Sequence, residues 1–200
     1  MIITEIKPCG KGKYQVSFDL AEEVILYKGE MRMLGLEEHM TIDNELFEQI
    51  YYEIVGKRAV KRAMHLLERM DRTEEQLRRK LTEGKYPQEL IDRAIEYVES
   101  YHYIDDERYT HTFVRLNQER RSIGRMRMDL LSRGISQELV ECALEEENET
   151  SQEELIKKFM EKKHYDSENA TITEKKRIYQ FLLRKGFRCE EIMRVLRVAE

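Results

Sequence analysis

One short recurring pattern constrains this chain more than any other feature in it. Leu81-Thr-Glu-Gly84, Leu131-Ser-Arg-Gly134 and Leu183-Arg-Lys-Gly186 place three glycines 50 and 52 residues apart. An apolar anchor follows each glycine: Tyr86, Ile135 and Phe187. Five residues after the anchors stand Ile91, Val140 and Ile192; eight after, Ala94, Ala143 and Val195; nine after, Ile95, Leu144 and Leu196. Those offsets lie on one face of a helix. A glycine that takes the left-handed conformation closes the preceding helix, and the anchor packs into the angle before the next one. A further helix precedes each such pair, over about 57–71, 105–118 and 152–163. The unit is therefore helix, helix, tight turn, helix. A single unit buries little core by itself, so stacked neighbours are expected to supply the rest.

Local signals agree with this division. Ala59, Ala63, Leu66, Leu67 and Met70 form an amphipathic stripe. Thr73-Glu-Glu-Gln76 reads as a capping box. Asp105, Ser136, Thr150 or Ser151, and Thr173 are the expected caps of later helices. Pro87 suits a first helical turn, where its missing N–H costs nothing. Ahead of the helices the periodicity is two. Residues 2–7 read as a strand, Pro8–Gly12 as a turn, and Tyr14, Val16, Phe18 and Leu20 as one face of a second strand. Val24–Tyr27 suggests a third strand, followed by short helices over 30–34 and 44–54. The expected organisation is a small β-rich segment over 1–56 and helical repeats over 57–103, 104–149 and 150–200. The fold class is mainly α, with three tandem three-helix repeats in an elongated array behind a small antiparallel β segment.

Composition narrows the function. The net charge of −5 conceals a division: residues 1–56 carry a net of −6 and residues 57–200 a net of +1. A whole-chain affinity for polyanions is thereby excluded, and nucleic-acid contact would have to come from local patches. Cys9, Cys142 and Cys189 are far apart and form no CxxC, so isolated reduced thiols are expected. No long apolar run and no leader pattern is present, which points to a cytoplasmic protein outside the membrane. No nucleophile–base pair, phosphate loop, dinucleotide fingerprint or metal-ligand spacing is present, so no enzyme activity, cofactor or metal is expected. His102 and His111 flank Asp105-Asp106-Glu107, but carboxylates at a helix start favour its positive end and need no metal. Tyr103 and Tyr109 bracket that acidic turn and read as packing residues, with a contact role as the alternative.

Basic clusters are the more informative polar feature. Lys57, Arg58, Lys61 and Arg62 occur together, and Lys175, Lys176, Arg177, Arg184, Lys185 and Arg188 form another group. Arg115, Arg120, Arg121, Arg125, Arg127 and Arg133 are offset only by Glu119 and Asp129. Arginine suits bidentate pairing with carboxylate or phosphate. Stacked repeats would align two of these groups into a stripe.

An ordered series of motifs also resembles a known family. Glu75-Gln-Leu-Arg-Arg-Lys-Leu81, Gly84-Lys-Tyr-Pro87, Tyr103-Ile-Asp-Asp-Glu-Arg-Tyr109, Phe113-Val-Arg115, Ile123-Gly-Arg125, Gly134-Ile135 and Phe181-Leu-Leu-Arg-Lys-Gly-Phe187 look like RecX, the bacterial regulator of the RecA recombinase. The match runs from about Arg62 to Val198, and the acidic Tyr103–Tyr109 segment with Phe113-Val-Arg115 is its most specific part. Where the family often has Pro after the Gly at the start of the second unit's middle helix, this chain has Gly124-Arg125. Residues 145–173 are polar and only weakly family-like. The resemblance implies a fold of three three-helix repeats. It also implies binding to RecA or its filament on single-stranded DNA, restraint of filament assembly and ATP hydrolysis, and no catalysis by this chain. On that reading Arg115, Arg120, Arg121, Arg125 and Arg127 are the first candidates for partner contact and Lys176, Arg177 and Arg184 the second. Tyr103, Asp105 and Asp106 form either a contact or a structural turn. Weak direct DNA binding and a generic helical scaffold are the alternatives, and a monomer is expected.

Overall fold

The computed structural model describes residues 1–167 and 169–198, apart from the side chains of 197 and 198. The chain forms two compact units, Met1–Asp105 and a second that begins at Asp106.

In the first unit, β1 (Ile3–Gly10), β2 (Lys13–Phe18) and β3 (Val24–Tyr27) form an antiparallel sheet in the order β1-β2-β3. β1 is longer than the expected 2–7. Pro8 pairs opposite Tyr14, and only Lys11 and Gly12 turn the chain. Proline is tolerated there because β1 lies at the edge of the sheet. Val16 and Phe18 are buried as the alternation predicts, whereas Leu20 lies past the strand and is 80% exposed. Both sheet edges are engaged in part, β1 at its start and β3 at Ile25. His39 N–H donates to Ile3 O and Ile3 N–H to Met40 O, and the Arg58 guanidinium donates to Ile25 O at 3.1 Å. Such cover keeps unpaired strand edges from recruiting other chains.

α1 (Lys28–Leu34) ends at Gly35, and α2 (Asn44–Glu48) starts from Asp43, whose carboxylate accepts from Leu46 N–H at 2.8 Å. α2 passes into a π-helical segment (Gln49–Gly56) and then α3 (Lys57–Arg69) with no non-helical residue between them. Ile50, Tyr51 and Val55 of the π segment pack with Ile3, Val16, Val24 and Leu26 of the sheet. The position between residues 56 and 57 thus lies inside an unbroken helix. Ala59, Ala63 and Leu66 are buried along α3, while Met70 lies beyond it and is exposed.

The first repeat is α3, α4 (Glu74–Glu83) and α5 (Gln88–Ser100). The second is α6 (Asp106–Asn117), α7 (Ile123–Leu131) and α8 (Gln137–Glu147). The third is α9 (Gln152–Lys162), α10 (Ile172–Arg184) and α11 (Cys189–Val198). Each repeat has its own apolar cluster. Thr73, Ser136 and Ser151 cap their helices as the sequence suggests. Thr173 does not: Thr171 is the cap, in a box with Glu174, so α10 starts two residues earlier. Pro87 is itself the capping residue, one position before the first turn of α5.

The repeat needs a one-residue correction. The Tyr86, Ile135 and Phe187 N–H groups donate to Leu81 O, Leu130 O and Leu182 O, each at 3.3 Å. This is the longer of the two bonds that close a helix through a left-handed residue. The left-handed residue directly precedes each anchor: Lys85 (φ 57°), Gly134 (φ 86°) and Gly186 (φ 87°). Gly84 is helical, at φ −76°. The equivalent leucines are therefore Leu81, Leu130 and Leu182, all fully buried, while Leu131 and Leu183 face outward. Lys85 carries the strain that glycine relieves in the other two turns. The offsets of 5, 8 and 9 from the anchors hold: Ile91, Val140, Ile192, Ala94, Ala143, Val195, Ile95 and Leu144 are buried and Leu196 packs against its cluster.

Within the second unit, polar and backbone contacts join repeats two and three. Ser122 caps α7 through Arg125 N–H and donates its own hydroxyl proton to Lys185 O at 2.7 Å. Ile123 N–H donates to Gln152 Oε1 at 3.0 Å. Gly124 lies so near the third turn that a Cβ there would come 2.2 Å from Gly186 O. Gly124→Ala is therefore expected to destabilise the second unit by about 1–3 kcal/mol, the usual cost of overpacking. Gly29→Ala, which meets open space in α1, is expected to be neutral or to stabilise by roughly 0.5–1 kcal/mol. Urea denaturation midpoints of the two variants check this contrast.

Candidate functional site

The arginines expected to form a contact surface are largely engaged within the second unit. Arg115, near the end of α6, makes a bidentate pair with Glu147 at the end of α8, with N–O distances of 2.8 and 2.7 Å. Arg127 on α7 does the same with Glu141 on α8, at 2.5 and 2.6 Å. Arg121 and Arg125 both reach Asp129, Arg125 at 3.0 Å across one helical turn. Two guanidiniums approach the Phe113 ring, Arg121 at 5.5 Å and Arg133 at 4.6 Å from its centroid. Arg133 also bonds the Tyr109 hydroxyl. These guanidiniums cover an aromatic edge of the core as well as carrying charge.

Electrostatics follow this geometry. Hydrogen bonds from Arg115, opposed by desolvation and aided by His111, hold the Glu147 carboxyl down at about 2. A bond from Arg127 lowers Glu141 in the same way, and its reciprocal raises Arg127. Pairs of this kind with one or both partners exposed contribute little to stability, because solvent screens them. Their main effect is on geometry, because a planar fork on a carboxylate fixes where both helices carry their charge.

Other basic candidates are not engaged. Arg120 is exposed in the link between α6 and α7. Lys176, Arg177 and Arg184 are exposed on α10. None of the four has a side-chain hydrogen bond or ion pair among the described residues. Arg177 and Arg184 line one open cavity of about 570 Å³ with Lys163, Asp166 and Glu174. Arg58 leaves the candidate surface altogether: its side chain is 19% exposed, paired with Glu30 and set over the Tyr27 ring.

The acidic turn divides into two parts. Asp106 and Glu107 occupy the first turn of α6, where the helix end favours carboxylates, and Asp105 precedes it. Tyr109 packs against the second repeat's core, as expected of a packing residue. Tyr103 does not; it is 48% exposed and stacks on Tyr101, which in turn meets Tyr97. Sequence reading missed the acidic partners. Arg125 and Asp129 at i,i+4 were a legible pair, but Glu141 and Glu147 are brought in by helix packing alone.

The depressed Glu147 value sets a pH window. Its folded value of about 2 lies below the ordinary 4.5, so the unfolded chain binds the proton more readily. The Arg115–Glu147 pair therefore contributes fully above pH 4.5 and is lost as pH falls through 2. NMR titration of the Glu147 side chain is expected to show this low midpoint, and Arg115→Gln is expected to move it upward.

Comparison with known proteins fits this arrangement. Three family models match in order: RecX first three-helix domain over residues 59–97, second over 105–144 and third over 151–196. "Regulatory protein RecX" of Caldanaerobacter subterraneus subsp. tengcongensis is 32% identical over 199 residues, covering 98% of each chain. The protein of that name from Clostridium perfringens strain SM101 is 28% identical over 170 residues, covering 81% of this chain and 79% of its own. Among solved structures, a crystal structure of regulatory protein RecX covers 97% of this chain and 98% of its own, with a TM-score of 0.65 at 23% identity. RecX from Lactobacillus salivarius gives 0.60 at 20% identity, covering 72% of this chain and 96% of its own. Those two likenesses concern the fold. No helix among the described residues is long and apolar enough to cross a membrane. With each of its three repeats matched in sequence order, and with a relative alike over nearly its full length, the chain belongs to the RecX family of regulatory proteins.

Proposed function

We propose that this protein acts by binding the RecA recombinase, or its filament on single-stranded DNA, and restrains filament assembly and ATP hydrolysis without catalysing a reaction itself. The observation that carries the contact surface is the division among its cations. Arg115, Arg121, Arg125 and Arg127 are held by this chain's own carboxylates, whereas Arg120, Lys176, Arg177 and Arg184 stand exposed with no direct ion pair among the described residues, Arg177 acting on Glu174 only through its field. The unpaired four lose no partner when they meet an acidic groove or a phosphate, so they make first contact. The paired arginines hold the supporting helices and join only where a partner's carboxylate displaces their own. Binding shifts the filament equilibrium by its differential affinity for the restrained state and by nothing more.

The test is RecA ATP hydrolysis on single-stranded DNA with this protein titrated in. Wild type is expected to inhibit. A folded Arg120→Glu/Arg177→Glu/Arg184→Glu variant is expected to need about tenfold more protein or greater, the scale of losing close charge pairs at an interface. Unchanged inhibition by that variant defeats the surface assignment, and no inhibition by wild type defeats the functional reading. Anisotropy with labelled single strand and no RecA, at two salt concentrations, tests the DNA alternative, for which tight and steeply salt-dependent binding is the signature.

A further inference from the structure

α6 and α8 of the second repeat bring together three side chains that the RecA-directed reading does not use. His111 on α6 faces Cys142 and Glu146, which are one turn apart on α8. The nitrogen, sulfur and oxygen donor atoms of the three lie within 4.8 Å of one another. Cys142 Sγ is 3.4 Å from Glu146 Oε1, and His111 Nδ1 is 3.8 Å from Glu146 Oε2. In a tetrahedral zinc site with bonds of about 2.0–2.3 Å, neighbouring donor atoms are roughly 3.3–3.7 Å apart. Two of the three spacings are thus near those of a ligand set, and the third lies within 4.8 Å, before any metal draws the trio inward.

We infer that His111, Cys142 and Glu146 form a binding site for a borderline-soft divalent cation of the zinc class, which on binding ties α6 to α8.

Donor chemistry selects the ion. One thiolate, one imidazole and one carboxylate suit Zn²⁺ or Co²⁺, whereas Mg²⁺ and Ca²⁺ prefer oxygen alone. Charge also balances: a divalent ion meets one thiolate and one carboxylate, with the imidazole neutral. Glu147 Oε1 also lies 3.2 Å from His111 Nδ1, so coordination through that nitrogen replaces its bond to Glu147, which stays paired with Arg115. Access is open, since Cys142 and Glu146 are exposed and the His111 side chain is 17% exposed. The bond from its thiol to Glu146 and the charge of that carboxylate raise Cys142, with smaller additions from the negative field of Glu107 and Glu145. A cation in the site reverses that field. Binding converts the Cys142 thiol to thiolate and releases its proton to solvent. Three protein ligands leave a fourth position for water. Sequence spacing conceals the site because the ligands come from two helices 31 to 35 positions apart.

The test uses the full chain carrying Cys9→Ser and Cys189→Ser, which removes the other thiols. Titration with Co²⁺ alone is expected to saturate at one equivalent with a thiolate-to-cobalt charge-transfer band and the visible bands of a tetrahedral ion. Zn²⁺ is expected to displace it and to raise the thermal midpoint. Adding Cys142→Ser is expected to abolish the charge-transfer band. His111→Ala is expected to weaken binding at least about tenfold, a loss seen even for residues that only support a ligand. Circular dichroism verifies that the variants fold. Absence of the band before Cys142 is changed, its survival in Cys142→Ser, or unaltered affinity in His111→Ala would each overturn the site. None of these outcomes bears on RecA inhibition, which is read separately.

Discussion

Everything in the helical part depends on how each repeat turns its corner. A buried leucine carbonyl accepts the N–H of the apolar anchor five residues later, and the residue between helix and anchor takes the left-handed conformation. This single bond ends one helix, drives the anchor inward and sets the direction of the next helix. The buried positions at 5, 8 and 9 beyond the anchor then have no freedom to point elsewhere. Removing Leu81, Leu130 or Leu182 would cost about 2–5 kcal/mol by cavity formation, and would also leave the corner without its inner wall. In the first repeat the anchor serves two cores. Tyr86 packs against the sheet's cluster as well as the first repeat's own, so the β segment and first repeat form one body.

In the second unit the same geometry makes the charged surface. α6, α7 and α8 carry arginines and carboxylates on facing sides, and their packing converts an apparent basic patch into bidentate pairs and aromatic cover. Net basicity along the sequence therefore overstates what a partner meets. Of the candidate cations, Arg120 on the α6–α7 link and Lys176, Arg177 and Arg184 on α10 are exposed without a direct ion pair among the described residues. The join between repeats two and three is also unlike an apolar core. It is a close backbone approach at Gly124 and Gly186, bonded across by Ser122 and Gln152.

Much of this was legible in the residues. The anchors and their offsets, the Thr73, Ser136 and Ser151 caps, the alternation of β2 and the ordered RecX-like motifs all lie in local sequence and have local physical causes. The failures have causes too. Aligning on glycine misplaced the leucines of the second and third turns because in the first turn Lys85, not Gly84, takes the left-handed conformation. Thr173 lost to Thr171 because a second capping box, closed by Glu174, lay two residues upstream. Tyr103 read as a packing residue because aromatic bulk beside a helix start usually packs, yet here it stacks on Tyr101 in solvent. The π segment gave no periodic signal distinct from an ordinary helix.

By itself the sequence determined the element types, the threefold repetition, the inward faces and the family, since these follow from propensity, hydrophobic period and motif order over short spans. Only the tertiary structure decided which charges remain available. That outcome depends on carboxylates such as Glu141 and Glu147, which reach Arg127 and Arg115 from another helix. It decided likewise that Gly124 must lack a side chain and that His111 meets Cys142 and Glu146. Each of these is a distance between helices, and no local pattern encodes it.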